Sequence, residues 1–221
     1  MRATRHSNDC RGELSDIVFH EPCPLDHETC PGRTETSVLD LQHRIVRHCA
    51  PTLAGLKCGS MFRVSVAPHG ILSHIDEILE GVESRGISID ILTSDEGSSL
   101  VYVYRPRLLA ARLRDQEVRD FLSGYGYGLE DVESSMDELK QRFSHCPSIP
   151  PEIGVFLDYP MDDVIGYIMH EGRCCRCIGC WKVYGDVEAA EKKFHSFKKC
   201  RDIYSRRLSE GTPFVRLAIN C

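Results

Sequence analysis

Four thiols fall within the seven residues from Cys174 to Cys180: Cys174, Cys175, Cys177 and Cys180. Cys174, Cys177 and Cys180 follow one another with two residues between each pair, the spacing that opens one type of iron–sulfur motif. Such a motif needs a fourth ligand, and none is near in sequence, so the fold would have to bring in Cys200 or Cys49. A zinc site of four thiolates is equally allowed by composition. Cys177 and Cys180 are also a dithiol of redox spacing, but the strand-like run after them offers no helix N-terminus to lower a thiol pKa. A loop that simply tolerates cysteine is the plainer reading. A second set of soft ligands, His20, Cys23, His27 and Cys30, lies near the N-terminus, with a very short loop between the pairs and nothing apolar around it.

Cys49 is the candidate nucleophile. It stands just before Pro51, and Pro51 suits the first turn of a new short helix, Pro51 to Leu56. A thiol at that N-terminus would meet the positive end of the dipole and lose its proton more readily. Thr52 would add a hydroxyl, Lys57 a cation, and Glu152 a carboxylate. Against this, Cys49 completes an apolar helical stripe, and Cys200 shares its helical face with Phe197 and Tyr204, so both thiols also read as core. Asp158, Asp162 and Asp163 cluster near Tyr159 and Pro160, and the last two read as first-turn residues of a helix, where the dipole favours negative charge. Trp181 and Val183 share one face of a strand; Lys182 and Tyr184 share the other and are the candidates for holding a cofactor or ligand.

Positioning these groups requires a core, and the chain has the material for one. It has 221 residues, 42% hydrophobic and 27% charged, the proportions of a globular protein. No apolar run approaches a membrane span, and the first residues lack the apolar core of a signal peptide, so a cytosolic protein is expected, its 12 cysteines reduced. The net charge of −6 is uneven: residues 170–221 carry 11 Lys and Arg against 6 Asp and Glu. This basic end on an acidic body points to an acidic protein or anionic ligand as partner; no nucleic-acid motif accompanies it, and no membrane is expected.

Residues 1–35 lack periodicity and are expected to be a disordered tail, with one domain over 36–221. Ser37 caps a helix with Val38, Leu41, Ile45 and Cys49 on one face, interrupted at Ala50-Pro51. A strand over Ser60 to Val66 follows, then a helix from Ile71 to Val82 stopped at Gly86. Next come the strand Ile87 to Leu92 and the strand "SLVYVYR", joined as a hairpin. Helices are expected from about Arg107, around Val118 to Leu122, from Val132 to Phe143, and after Pro160. Gly154 to Leu157 reads as a short strand or a turn, "WKVYG" as a strand, Asp186 as the cap of a long last helix, and "FVRLAIN" as an edge strand. The pattern is α+β: a small, mainly antiparallel sheet packed with several helices in a single domain.

Four blocks in order, "HCAPTLAGLKCGSMF" (His48 to Phe62), "VYRP" (Val103 to Pro106), "PEIGVFLDYPMDDVIGYI" (Pro151 to Ile168) and "WKVYGDVEAAEKKFHSFKKC" (Trp181 to Cys200), resemble the bacterial family catalogued as domain of unknown function 3793. The resemblance spans about residues 37 to 205. It implies a cytosolic setting in mostly anaerobic bacteria and lends no reaction. By this resemblance Cys49, Cys175 and Cys200 match family cysteines, whereas Cys174, Cys177 and Cys180 look like additions, and Pro151 stands where the family usually has His. Three functions are therefore open: a thiol-based metal-binding or redox accessory protein of anaerobic metabolism, using zinc or an iron–sulfur cluster held by Cys175, Cys177, Cys180 and Cys200 with Cys49; an enzyme with Cys49 as nucleophile; or an interaction module using the basic helix residues Lys192, Lys193, Lys198, Lys199 and Arg201.

Overall fold

The structure, a computed structural model, describes residues 37–65, 68–95, 97–145 and 148–220, without the side chains of 66–70. The expected tail, 1–35, with His20, Cys23, His27 and Cys30, lies outside the described residues. Helix α1 (Val38–Leu53) opens on a capping box: the Ser37 side chain accepts from the Asp40 N–H, and the Asp40 carboxylate accepts from the Ser37 N–H. The expected break at Ala50-Pro51 does not occur. Pro51 lies inside the last turn of α1, where its missing N–H removes one helical bond while Ala54 still donates to the Ala50 carbonyl. Leu41, Ile45, Cys49 and Leu53 therefore continue one buried stripe.

Strands β1 (Gly59–Val64), β2 (Ser88–Asp95) and β3 (Ser98–Tyr104) form an antiparallel sheet in the order β1-β3-β2. Between β1 and β2 lies helix α2 (Pro68–Val82), followed by a 3-10 turn that Gly86 ends in the left-handed region at φ 71°. Strand β3 is buried along almost its whole length because helices cover both faces of the sheet. On one face Phe62, Val64, Ile89, Val101 and Val103 pack against α1 and α2. On the other, Met61, Leu100 and Tyr102 pack against α3 (Pro106–Leu113), α4 (Gln116–Ser123), α5 (Val132–His145), α6 (Ile153–Phe156) and α7 (Met161–Met169). Gly154 to Leu157, read as a short strand or a turn, are the helical turn α6 (Ile153–Phe156) and its C-cap Leu157.

A third, smaller apolar cluster forms where the hairpin β4 (Cys177–Ile178) and β5 (Lys182–Val183) lies on α8 (Val187–Ser209). Trp181, Val183, Ala190 and Phe197 are its buried members. The expected C-terminal edge strand is instead a helical turn, α9 (Phe214–Leu217), which follows Pro213 and sends Phe214 and Leu217 into the α1–α2 core. The result is a single α+β domain. No helix among the described residues is long and apolar enough to cross a membrane.

Candidate functional site

Lys57 stands where the three clusters meet. It lies on the loop from α1 to β1, and that loop is pinned on both sides by one residue. Arg105 is 2% exposed. Its guanidinium donates to the carbonyls of Thr52 and Leu53 at the end of α1, and to those of Arg85 and Ile219. Its backbone N–H donates to the Cys58 carbonyl at 2.8 Å. A fixed cation at the C-terminus of α1 also suits the negative end of that helix's dipole. Beyond Cys58, Gly59 makes room for α6: a Cβ there would collide with the Tyr102 hydroxyl and the Phe156 carbonyl. That carbonyl accepts from the Tyr102 hydroxyl at 2.7 Å and from the Cys58 thiol at 3.4 Å. The end of α6 is thereby held against the start of β1.

The turn that leaves α6 brings Asp158 and Tyr159. Asp158 occupies the left-handed region at φ 62°, a helix-ending conformation usually given to glycine. A non-glycine residue there costs about 1 kcal/mol or more. The Asp158 side chain faces Arg112, with Nε 3.9 Å from Oδ1, while Arg112 Nη2 donates to the Tyr159 carbonyl at 2.7 Å. At 3.9 Å the Arg112–Asp158 contact is an ion pair without a hydrogen bond, and Arg112 Nε is buried with no hydrogen-bond acceptor among the described residues.

The Lys57 ammonium lies 5.4 Å from the centre of the Tyr159 ring and 5.7 Å from that of Phe197. Tyr159 stacks on Trp181 at 4.9 Å, and Trp181 meets Phe194 edge-on at 4.5 Å, so four aromatic rings wall this corner. Among the described residues no hydrogen bond or ion pair holds the Lys57 nitrogen. Burial in this apolar corner pulls its pKa below the ordinary 10.5; Cys58, Asp158, Cys180 and Cys49, in that order, oppose the shift. The thiols oppose it only when ionised. Cys58 is pushed up to about 12 by burial and Cys49 is raised well beyond its ordinary range for the same reason, so near neutral pH both are protonated. Asp158 then remains the main counter-charge. The face of the third cluster beside Tyr159 and Trp181 carries a pocket of about 30 Å³, lined also by Asp163, Tyr167 and Lys182, with room for a water or two.

The other sequence candidates are distributed differently. Cys49 has no helix N-terminus beside it: it is fully buried mid-helix in the α1–α2 core, and burial keeps its thiol protonated. Thr52 does not attend it, since its hydroxyl shares a 2.8 Å hydrogen bond with Ser60. Glu152 is fully buried and paired with Arg142, which packs over Tyr125 and Tyr127. That network closes the "GYGYG" loop onto α5 and does not involve Cys49. Cys175, Cys177, Cys180 and Cys200, the expected metal ligands, do not assemble with Cys49: Cys49 belongs to one core, Cys177 and Cys180 edge another, and Cys200 lies buried on α8 beside Arg201, its thiol pushed up to about 11. Among the described residues no three His, Cys, Asp or Glu side chains are placed to hold a metal ion. All seven described cysteines are free.

Lys182 and Tyr184 part ways. The Lys182 ammonium donates to the Gly172 carbonyl at 3.1 Å and lines the small pocket. Tyr184 packs on Gly166 and stacks on His170, with its hydroxyl buried and without a partner among the described residues. Asp163 anchors the hairpin, accepting from Trp181 Nε1 and from the backbone N–H groups of Tyr184 and Gly185 at 2.7–2.8 Å. On α8, Lys192, Lys193, Lys198 and Lys199 are exposed and Arg201 is half-buried.

Sequence reasoning named Lys57 but as an assistant to Cys49, and it gave Asp158 no role beyond its place in an acidic cluster. It missed Arg112 and the ring wall of Tyr159 and Phe197. The available signal was a lysine at the end of a block, Leu56-Lys57-Cys58, between a helix and a strand, where an amine is held close to two packed elements. A family described as "Protein of unknown function (DUF3793)" matches residues 45–218. No curated protein and no solved structure matches the chain.

Proposed function

The chain belongs to the DUF3793 family of proteins of unknown function, and from that starting point we propose that it is an enzyme acting on a small carbonyl compound through the amine of Lys57. The observation that carries the reading is the setting of that amine: aromatic walls, no ion pair among the described residues, and a pKa drawn down by burial. A desolvated lysine is the group that forms imines with carbonyl substrates. Each unit by which its pKa falls raises the free-base fraction at neutral pH about tenfold. In the reaction the Nζ lone pair attacks the carbonyl carbon and the C=O π pair moves to oxygen. The two amine hydrogens and that oxygen then leave as water, giving C=N. An imine is easily protonated, and Asp158 supplies the charge that would stabilise the iminium. The setting is read as the cytoplasm, where thiols such as the seven free cysteines stay reduced.

The test is reductive trapping. The protein is incubated at neutral pH with acetaldehyde and cyanoborohydride, and modified lysines are located by peptide mass spectrometry. Lys57 should be alkylated well ahead of the exposed Lys192 and Lys193. Alkylation of Lys57 no faster than theirs contradicts the proposal.

A further inference from the structure

We propose that the small pocket between α6, α7 and the β4–β5 hairpin is a binding site for a small planar oxyanion of formate size, with Lys182 as its partner. The buried Gly154, Val164 and Trp181 form the inner wall of this cavity of about 30 Å³, and the partly exposed Tyr159, Tyr167 and Lys182 form the outer one. Lys57 is not part of the lining, although Tyr159 borders both, so the site stands apart from the imine chemistry. Glycine keeps the space open: a Cβ on Gly154 would lie 2.8 Å from Val164 Cγ2 and 3.3 Å from Tyr159 Cδ2, both residues of the wall. Room for two waters is also room for three bonded heavy atoms. Atoms in a carbonyl bond are about 1.2 Å apart, whereas hydrogen-bonded water oxygens are about 2.8 Å apart.

The lining selects the ligand. It holds two charged groups, Asp163 and Lys182. Asp163 already accepts three hydrogen bonds: Oδ2 from Trp181 Nε1, and Oδ1 from the backbone N–H groups of Tyr184 and Gly185. Lys182 is less engaged. An ammonium has three N–H donors. Among the described residues one is used, on the Gly172 carbonyl at 3.1 Å, and no carboxylate pairs with it. Its nitrogen stands 5.9 Å from the centre of the Tyr167 ring, so an aromatic side chain of the pocket flanks it. The unused donors call for an acceptor, which favours an anion over a cation. A planar carboxylate offers two oxygens to the ammonium and flat faces to the rings of Tyr159, Tyr167 and Trp181. Tetrahedral sulfate, with five heavy atoms, exceeds the space.

Trp181 is the only tryptophan of the chain and lines the pocket, so its emission reads occupancy. The full-length chain is titrated with sodium formate and with formamide, its neutral isostere, at constant ionic strength in sodium sulfate. A ligand of three heavy atoms binds no tighter than the millimolar range. Formate should therefore give a saturating change in Trp181 emission with a millimolar midpoint. Formamide should give none at concentrations about tenfold higher. Lys182→Met keeps the apolar stem and removes the charge, and should raise the formate midpoint about tenfold or more. Should Lys182→Met fail to fold, wild-type protein supplies the reading. Formate should slow acetylation of Lys182 by acetic anhydride relative to Lys192 in the same digest, and formamide should not. Absence of a saturating change with formate overturns the proposal. So does an equal response to formamide, which would mean a cavity indifferent to charge. A formate midpoint unaltered in Lys182→Met, or a Lys182 that formate leaves unprotected, places the anion elsewhere and also overturns it. None of these outcomes bears on trapping at Lys57.

Discussion

Replacing Arg105 by Met should destabilise the protein by about 4 kcal/mol and slow the chemistry of Lys57, although Arg105 contacts no part of the proposed substrate. Met keeps the apolar stem and removes the guanidinium. Four carbonyls then lose a charged donor. Those of Arg85 and Ile219 are only partly buried and can turn to water. Those of Thr52 and Leu53 are buried and keep one backbone donor each, Gly55 N–H and Ile219 N–H, so each loses a charge-assisted hydrogen bond, at a cost of about 1–3 kcal/mol. The sum is about 2–6 kcal/mol, and for a chain of this size the central value lowers Tm by about 8–16 °C. Calorimetry and urea unfolding measure it, and an unchanged urea slope shows that the denatured state is not responsible. Because Thr52 and Leu53 precede the Lys57 loop and Cys58 follows it, trapping at Lys57 in the folded variant should fall as well. A Tm within about 2 °C of wild type would refute the reasoning, because it would mean that the loop carbonyls do not depend on Arg105.

Other substitutions and conditions test separate parts of the account. Asp163→Ala leaves Trp181 Nε1 and two backbone N–H groups without their acceptor, and should cost about 2–4 kcal/mol with a change in Trp181 fluorescence; an unaltered emission spectrum would show that the hairpin is held otherwise. Of the seven described cysteines, iodoacetamide at pH 8 should modify the exposed Cys174 first and the buried Cys49 last, with Cys58 also slow because its thiol is pushed up to about 12; early labelling of Cys49 in native protein would contradict its place in the core. Lys57 should also make stability rise with pH. Its folded pKa lies below its unfolded value, so between the two the unfolded chain binds more protons, and alkali through that window favours the fold. Lys57→Met should abolish that rise in urea titrations, and an identical pH slope in the variant would count against the depressed pKa.

The large elements were legible because burial writes its period into the chain. The stripe Val187, Ala190, Phe194, Phe197, Cys200 and Tyr204 marks α8 by its spacing alone, and the alternation Ile87, Ile89, Ile91 followed by the β-rich "SLVYVYR" marks the β2–β3 hairpin. Short elements have too few residues to show a period. Ile153–Phe156 and Phe214–Leu217 are single helical turns whose β-branched and aromatic residues resemble strand, and packing into the cores decided them. The misplaced break at Pro51 had the larger effect on the site. A proline in the last helical turn removes one hydrogen bond, and the buried stripe through Leu53 outweighs that loss. With α1 unbroken, Cys49 points into the core, and the proposed reactive group is Lys57 instead. The left-handed backbone of Asp158 has no sequence signature, since glycine is the residue that normally announces it. Nor can spacing show that cysteines far apart in the chain fall to different apolar clusters.

The most direct measurement is an NMR titration of Lys57 itself, following its side-chain Cε and Nζ signals in lysine-labelled protein, with Lys57→Arg identifying the resonance. The midpoint should lie clearly below 10.5. A Lys57 midpoint at or above 10.5 would mean that its neighbours stabilise the ammonium, and an imine-forming amine at this position would be ruled out.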